Sequence, residues 1–260
     1  MSTNPYAAPK AAVADETLVV KSNFVPGGRG VAAGRGWSWI AEGWDLFRRA
    51  PGIWIAITIV LAVIFFALAF IPILGSIGTM VLGPVFTGGL MIGCRALDEG
   101  RDLEFGHLFA GFRERLGALA GIGALYLAGT FVVVLLVMVV TGASMFTLFG
   151  AGGEPQATDP AAMFATMGLA FLVMMALMIP LLMAIWLAAP LAVFHDQSPF
   201  EAMKGSFVGC LKNIVPFLVY GVVMFVAAIV ASLPLLLGWL VLAPIMGASI
   251  YTAYRDIYLQ

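Results

Sequence analysis

The chain has 260 residues, of which 62% are hydrophobic and 10% are charged, and its mean hydropathy is +1.04. Soluble domains carry about 25% charged residues, so this composition excludes an ordinary soluble protein and indicates an integral membrane protein. The formal net charge of −1 is uninformative by itself, and no nucleic-acid partner is predicted.

Residues 1–36 are predicted to form a disordered cytoplasmic tail. The segment contains Pro, Gly, Ala and scattered charges, with too little apolar content to pack. Arg29 and Arg35 are expected mainly to help fix the topology, and contact with anionic lipid headgroups is the alternative. Residues 37–258 are predicted to form a single transmembrane domain.

Three segments are predicted to be amphipathic helices that lie in the membrane interface, because aromatic and aliphatic residues recur in them at helical spacing. The third begins with a capping box over Ser198 to Glu201, with Pro199 at its first helical position. Eight side chains of these helices are predicted to contact lipid: Trp37, Trp44, Arg48, Arg49, Phe105, Phe112, Phe200 and Phe207.

Long uncharged runs predict six transmembrane spans. No Asp, Glu, Lys or Arg occurs between Arg49 and Arg95 or between Lys212 and Arg255. Each run is long enough for two helices of about 20 residues and a turn. Two uncharged stretches in the middle of the chain each suit one long helix. The predicted spans are 52–71, 77–96, 117–141, 163–193, 213–232 and 237–255, with an outer loop over 142–162.

The placement of charge predicts the orientation. All 13 Lys and Arg fall on one side of the six-span arrangement, whereas the other side has only Glu154 and Asp159. By the positive-inside rule, both termini are therefore predicted to be cytoplasmic, in a multi-pass protein of the bacterial inner membrane.

Two uncharged runs contain the same short motif. Pro84 and Pro244 each follow a leucine and one small residue, and an arginine stands eleven places after each proline. With Pro180 as the middle counterpart, the fold class is predicted to be an all-α integral membrane protein. It would contain three tandem parallel hairpin repeats, each preceded by a cytoplasmic interfacial amphipathic helix. The three prolines are predicted to kink their helices. The predicted repeats span about 37–98, 103–196 and 198–256.

The run GW-x-WI-x-x-GW-x-LF at 36–47, the hairpins with a leucine-x-proline motif and the NPYAAP start carry a resemblance. The chain resembles an uncharacterised family of Gram-negative inner-membrane proteins. It is more distantly similar to the six-helix membrane domain that precedes some glycerophosphodiester phosphodiesterases. The resemblance covers most of residues 36–258. It implies no catalytic residue, and the soluble phosphodiesterase domain has no counterpart in this sequence.

Catalysis is not predicted. No ionisable residue lies in the central part of any predicted span, which argues against a proton-coupled carrier or pump. His195 and Asp196 are adjacent and so do not face each other on a helix. The segments 142–144 and 247–249, both Gly-Ala-Ser, resemble the serine segment of intramembrane proteases, but no span holds the histidine that this chemistry needs.

A methionine stripe is the one candidate metal site. Met163, Met167, Met174 and Met178 share one face of the fourth span. Thioethers bind Cu(I), but no cysteine or histidine accompanies the stripe within the span, so core packing is the favoured interpretation. No metal and no cofactor are predicted.

Two functions are compatible with the sequence. The first is a non-enzymatic protein that binds membrane lipids or another membrane protein, a second copy included. The alternative is a transporter or channel for a small uncharged or amphipathic solute, with a path formed between the three proline-bearing helices. A polar, water-accessible cavity on the axis would favour the alternative, and a dry centre would oppose it.

Overall fold

The computed structural model describes residues 24–149 and 160–260, and this part of the chain is all-helical. The helices are α1 (Arg35–Arg49), α2 (Pro51–Ala69), α3 (Leu74–Asp98), a 3₁₀ helix (Phe105–Phe109), α4 (Ala110–Glu114), α5 (Leu116–Phe149), α6 (Pro160–Trp186), α7 (Ala188–Phe194), α8 (Pro199–Lys212), α9 (Ile214–Ser232) and α10 (Trp239–Tyr258). Within these described residues, five segments are long and apolar enough to cross a membrane: Pro51–Ala69, Leu74–Asp98, Leu116–Gly142, Phe164–Phe194 and Ile214–Ser232.

One end of the helix bundle, here named the charged end, collects the charged side chains of the described residues. Arg255 at the end of α10 reaches Asp98 at the end of α3, with 2.6 Å between Nη1 and Oδ1. Arg115 before α5 reaches Asp196 after α7, with 2.8 Å between Nη1 and Oδ1. The uncharged end carries the hairpin turn between α2 and α3 and the turn between α9 and α10.

Helix α10 packs against α1, α2, α3 and α9, and none of its residues is exposed. Its residues Ile245, Ala248, Ser249 and Thr252 are buried. Because protein rather than lipid surrounds this helix, it tolerates a run of Tyr, Thr and Ser in its second half. That run explains why α10 is less apolar than the five candidate spans.

Helix α1 docks on α10 through a face other than the one that carries Trp37 and Trp44, the two tryptophans predicted to contact lipid. Trp39, Gly43 and Leu46 are buried, and the Trp39 carbonyl accepts a hydrogen bond of 2.9 Å from Thr252 Oγ1. Trp37, from the predicted face, is 58% exposed. The helix is therefore embedded between other helices, with its Trp37 side turned outward.

The second predicted amphipathic helix is split into the 3₁₀ helix and α4, which are separated from α5 at Arg115. The third segment is helical as α8, and its predicted capping box is present. The Ser198 backbone N–H donates to Glu201 Oε2 at 3.1 Å, and the Glu201 N–H donates to Ser198 Oγ.

Three small residues let these short helices approach the backbone of a neighbouring helix. At each position the side-chain site, an added Cβ at Gly43 or Gly111 or the Oγ of Ser206, lies beside two backbone groups of the neighbouring helix. One is a carbonyl, and the other is the N–H of the residue four places after it. The carbonyl and N–H pairs belong to Ile245 and Ser249 for Gly43, to Val85 and Gly89 for Gly111, and to Met183 and Leu187 for Ser206.

The fourth predicted span is broken at Leu187, between α6 and α7, close to Pro190. Ser206 Oγ donates to Met183 O at 2.7 Å and accepts from Leu187 N at 2.9 Å. The inserted hydroxyl replaces the direct helical hydrogen bond between these two groups, a recognised cause of a kink. Pro84, Pro180 and Pro244 all lie inside continuous helices.

The predicted outer loop over 142–162 is partly helical in the structure. Helix α5 continues to Phe149 and α6 begins at Pro160, so helix covers much of the outer loop predicted for 142–162. Its residues 150–159 lie outside the described residues, as does the predicted tail over 1–23.

Residues 24–34, here named the N-terminal strap, pack across the charged end instead of forming part of a flexible tail. The Val25 N–H donates to Tyr258 O at 2.8 Å, and the Val31 N–H donates to Asn213 Oδ1 at 2.8 Å. Phe24 stacks on His195, with ring centroids 3.7 Å apart. These contacts supply the backbone partners and aromatic packing that the composition of the segment did not predict.

Candidate functional site

A cavity of about 470 Å³ opens at the charged end above the last turns of α10. It is named here the charged cavity. Its polar and aromatic lining comes from the strap, α1, α3, α7 and α10: Arg29, Arg35, Arg95, Asp98, Glu99, Phe194, Tyr251, Tyr254, Arg255 and Asp256.

Asp256 joins the strap and α1 to α10 at one wall of the charged cavity. Its Oδ2 accepts from Arg35 Nε at 2.6 Å and from Trp39 Nε1 at 2.9 Å. Arg29 Nη2 lies 3.6 Å from Oδ1. The hydrogen bond to Asp256 raises the pKa of Arg35, so this guanidinium stays charged and fixed in place.

Glu42 and Asp98 share Arg255 across the same wall. Arg255 Nη2 donates to Glu42 Oε2 at 2.7 Å, and Nη1 donates to Asp98 Oδ1 at 2.6 Å. Asp98 Oδ2 also accepts from Tyr251 Oη at 3.0 Å, and Glu42 Oε1 accepts from Arg35 Nη2 at 2.9 Å. The carboxylates are thus held as hydrogen-bond acceptors, which leaves neither of them placed as a free general base.

Arg95 and Glu99 form the rim on α3, with 2.7 Å between Nε and Oε1. Partial burial opposes ionisation of Glu99, but donation by Arg101 and Arg95 outweighs it and lowers the pKa of Glu99. The Arg95 guanidinium also lies over the ring of Phe194, 5.4 Å from its centroid. Cation–π contact of this kind orients the guanidinium toward the cavity wall.

The floor of the charged cavity is aromatic and closed. Tyr254 Oη lies 2.6 Å from His195 Nε2. Burial and the positive charge of Arg95 lower the pKa of His195 to about 4, so the imidazole is neutral at pH 7. Below Tyr251, the residues Ala248 and Ser249 of α10 are fully buried. The cavity therefore ends against a packed helix.

The predicted lipid-contacting side chains divide into two groups. Six of them are exposed: Trp37, Trp44, Arg48, Arg49, Phe105 and Phe200, the last with an exposed fraction of 69%. Phe112 and Phe207 are only partly exposed. None of the eight lines the charged cavity. The three predicted kink prolines also lie away from it.

The other sequence candidates are separated. Asp196 pairs with Arg115, and His195 contacts Tyr254. Asp196 and His195 therefore do not form an acid/base pair with each other. Ser249 Oγ is buried and donates to Ile245 O at 2.6 Å. The side chain of Ser144 lies outside the described residues.

Core packing, the favoured interpretation of the methionine stripe, is wrong for Met167 and Met174, which are exposed on α6, whereas Met178 is partly buried. The side chain of Met163 lies outside the described residues. Across 24–149 and 160–260, no cluster of three or more His, Cys, Asp or Glu side chains is arranged to hold a metal ion.

Sequence reasoning missed the charged cavity. Its ion pairs join residues far apart in the chain, such as Glu42 with Arg255 and Arg35 with Asp256. One signal did point to it: the two arginines that follow Pro84 and Pro244 at the same distance, Arg95 and Arg255, both line this cavity.

The chain is similar to a protein of Burkholderia thailandensis named as a probable inner membrane protein. The two are 29% identical over 228 residues, which cover 85% of this chain and 82% of the relative. No family model matches the chain. No solved structure matches it either.

Proposed function

We propose that the chain is a non-enzymatic inner-membrane protein with six spans that acts by binding membrane lipid or another membrane protein. The observation that carries the proposal is the outward direction of the aromatic side chains on the short helices at the charged end. Trp37, Trp44, Phe105 and Phe200 are exposed there beside Arg48, the combination typical of side chains at lipid headgroup depth.

Helix α10 would be the sixth span. It has 20 residues, enough to cross about 30 Å of hydrocarbon, and it lies among the other spans. A sixth crossing brings both described termini to the charged end, where Phe24 and Leu259 form an isolated bridge. With the arginines and lysines at that end, the positive-inside rule assigns it to the cytoplasm.

The three small-residue contacts support the repeat. Gly43, Gly111 and Ser206 each precede an aromatic residue of the predicted faces, and each covers equivalent backbone groups on a neighbouring helix. The helix of each repeat docks on the repeat before it, and α1 docks on the last. In the first and third repeats the contacted carbonyl belongs to the residue directly after the proline, Val85 after Pro84 and Ile245 after Pro244. In the middle repeat it belongs to Met183, so the position equivalent to those prolines is Leu182. Pro180 lies two residues before Leu182.

The charged cavity supports binding over transport, because it ends blind on Tyr251 and the packed turn below it. Its carboxylates Asp98 and Asp256 are held by arginine side chains. A transporter or channel for a small solute is the second candidate. It is favoured by one observation, that this cavity is lined by polar and charged side chains.

The proposal is tested in proteoliposomes and by native mass spectrometry of protein extracted in mild detergent. We expect retained phospholipid or a retained membrane protein, and solute release no faster than from empty vesicles. A triple variant Trp37→Ala, Trp44→Ala and Phe200→Ala should retain less. The control replaces three exposed aromatics of the spans by alanine: Phe66, Phe131 and Phe225. Flux of a defined solute, or extraction with neither lipid nor protein retained, would overturn the proposal.

A further inference from the structure

The charged cavity contains two arginines with unused hydrogen-bond donors. Arg95 donates from Nε to Glu99 Oε1 at 2.7 Å, and no described residue accepts a hydrogen bond from its Nη1 or Nη2. Arg29 donates from Nε to the backbone carbonyl of Asp256 at 2.8 Å. Its Nη2 is 3.6 Å from Asp256 Oδ1, which is too long for a hydrogen bond. Both arginines line the cavity, so their terminal N–H groups are available to a ligand there.

Arg95 and Arg255 follow the two motif prolines at the same distance, but they have different partners. Arg255 donates to a carboxylate on α1 and to another on α3. Arg95 has one carboxylate partner among the described residues, Glu99, four residues later on its own helix. Glu99 also accepts from Arg101, so Arg95 shares its counter-ion. The charge of Arg95 is therefore less neutralised than that of Arg255.

The backbone of the N-terminal strap holds Arg29 beside the cavity. The Arg29 N–H donates to Ile257 O at 2.9 Å. The Arg29 carbonyl accepts from Asn213 Nδ2, also at 2.9 Å. These two hydrogen bonds fix the backbone of Arg29 against the end of α10 and the residue after α8. Donors that are positioned before a ligand arrives lose less conformational freedom when it binds.

The positive charge of Arg95 extends over the aromatic floor of the cavity. Its guanidinium carbon lies 5.4 Å from the centroid of the Phe194 ring. Burial lowers the pKa of His195 to about 4, and the charge of Arg95 contributes to this shift. Each carboxylate of the lining is paired with an arginine. A ligand therefore meets unused cationic donors and not an unpaired acid, which favours an anion.

The volume and the donors of the cavity indicate the class of anion. A volume of about 470 Å³ lies within the range of small-molecule sites. Guanidinium groups bind carboxylates and phosphates through parallel N–H donors. A phosphate group has three strongly accepting oxygens, so it can accept from Arg95 and Arg29 together. A carboxylate has only two oxygens, which one guanidinium already matches.

We propose that the charged cavity is a binding site for a phosphate group that carries at most one ester bond, with Arg95 and Arg29 as its donors. Two sources share this chemistry, a lipid headgroup with a terminal phosphate and a soluble phosphate. The inference goes beyond the proposed function, because it rests on the cavity and not on the exposed aromatic side chains.

Isothermal titration calorimetry of the full chain in dodecyl maltoside tests the site. The probes are inorganic phosphate and dioctanoyl phosphatidic acid, with dioctanoylglycerol as the phosphate-free control. Arg95→Gln and Arg29→Gln each remove one donor group, and they lie on different elements. Arg113→Gln is the matched control, because Arg113 is exposed on α4 and does not line the cavity.

We expect one phosphate site per chain. Arg95→Gln and Arg29→Gln should each weaken binding by about ten-fold or more, whereas Arg113→Gln should weaken it by less than about two-fold. Unfolding midpoints without ligand show whether one variant loses affinity through loss of stability, and the other variant then decides. Binding of phosphatidic acid at least about ten-fold tighter than inorganic phosphate identifies a lipid headgroup as the source. A smaller difference identifies a soluble phosphate.

Absence of binding by both phosphate probes would overturn the proposal. So would binding that survives both cavity variants, equal weakening by Arg113→Gln, or binding of dioctanoylglycerol as tight as that of phosphatidic acid. These failures are distinct from failure of the proposed function. Retention of lipid or a membrane protein without phosphate binding rejects the cavity site alone, and phosphate binding without such retention rejects the proposed function alone.

Discussion

At the residue scale, Gly111 lies where the backbones of two helices meet. A Cβ at this position would stand 2.1 Å from Val85 O and 3.2 Å from Gly89 N. The atoms that an added methyl group would meet belong to the backbone of α3, so a rotation of a neighbouring side chain cannot relieve the contact. The small residue thus sets how closely α4 approaches α3.

We expect Gly111→Ala to lower the free energy of unfolding by about 1 to 3 kcal/mol, the usual cost of overpacking. Gly117→Ala is the control, because its added methyl group meets nothing within 4 Å. It should be neutral or stabilising by up to about 1 kcal/mol. Unfolding in detergent measures both, and equal midpoints would contradict this account of the contact.

Ser206 is a second position where one atom decides local geometry. Ser206→Ala removes the hydroxyl that connects Leu187 N to Met183 O, in a fully buried place. The loss should cost about 1 to 3 kcal/mol, because both backbone groups lose a partner. Ser38→Ala, on the exposed side of α1, should have little effect in the same assay. A variant as stable as the parent would show that the α6 to α7 break needs no bridging hydroxyl.

His195 predicts a dependence of stability on pH. Its pKa is lowered from 6.5 to about 4 by burial and by Arg95, so the unfolded chain binds a proton that the folded chain rejects between these values. Stability should therefore fall as the pH drops from about 6.5 to about 4. Unfolding midpoints across this range should decline more steeply for the parent than for His195→Gln. Parallel curves would contradict the prediction.

At the element scale, α1 depends on the charged end. Asp256 binds Arg35 and Trp39 of α1 and lies near Arg29 of the strap. We expect Asp256→Asn to destabilise the protein by about 1 to 3 kcal/mol and to expose the strap to protease. Asp45→Asn, which affects only the exposed pair with Arg48, should do neither. Unchanged proteolysis after Val25 would argue against the role assigned to Asp256.

The sequence predicts which segments become helices better than it predicts which face docks. The capping box at Ser198 is a local signal, and α8 begins where it indicates. In α1, Trp37 with Trp44 and Trp39 with Leu46 both recur at seven-residue spacing, so periodicity alone cannot select the buried face. The selection depends on Gly43 meeting Ile245 and Ser249, residues about 200 positions away.

The charged cavity was not predictable for the same reason. Charge placement identified the end of the protein where Arg255 lies, but not the carboxylates that bind it. Glu42 and Asp98 come from different helices, and only the packing of α1 and α3 on α10 brings them together.

At the scale of the whole molecule, the proposed topology depends on the predicted orientation. Lys204→Cys and Arg101→Cys should react with a membrane-impermeant maleimide in inverted inner-membrane vesicles. Leu235→Cys, 90% exposed at the uncharged end, should react in spheroplasts instead. The unmodified chain gives the background, because Cys94 and Cys210 are buried. The reverse pattern would contradict the positive-inside assignment.

The docking of α1 on α10 has a consequence for synthesis on the ribosome. Among the described residues α1 is the first helix along the chain and α10 is the last, so Trp39 and Leu46 lack their docking surface until residues 239–258 have been translated. Nascent chains therefore enter the bilayer with α1 undocked, and α1 docks only after α10 has been synthesised. A chain terminated before Trp239 would keep the five candidate spans of the described residues and leave α1 without its docking surface on α10, so we expect it to be less stable than the full chain.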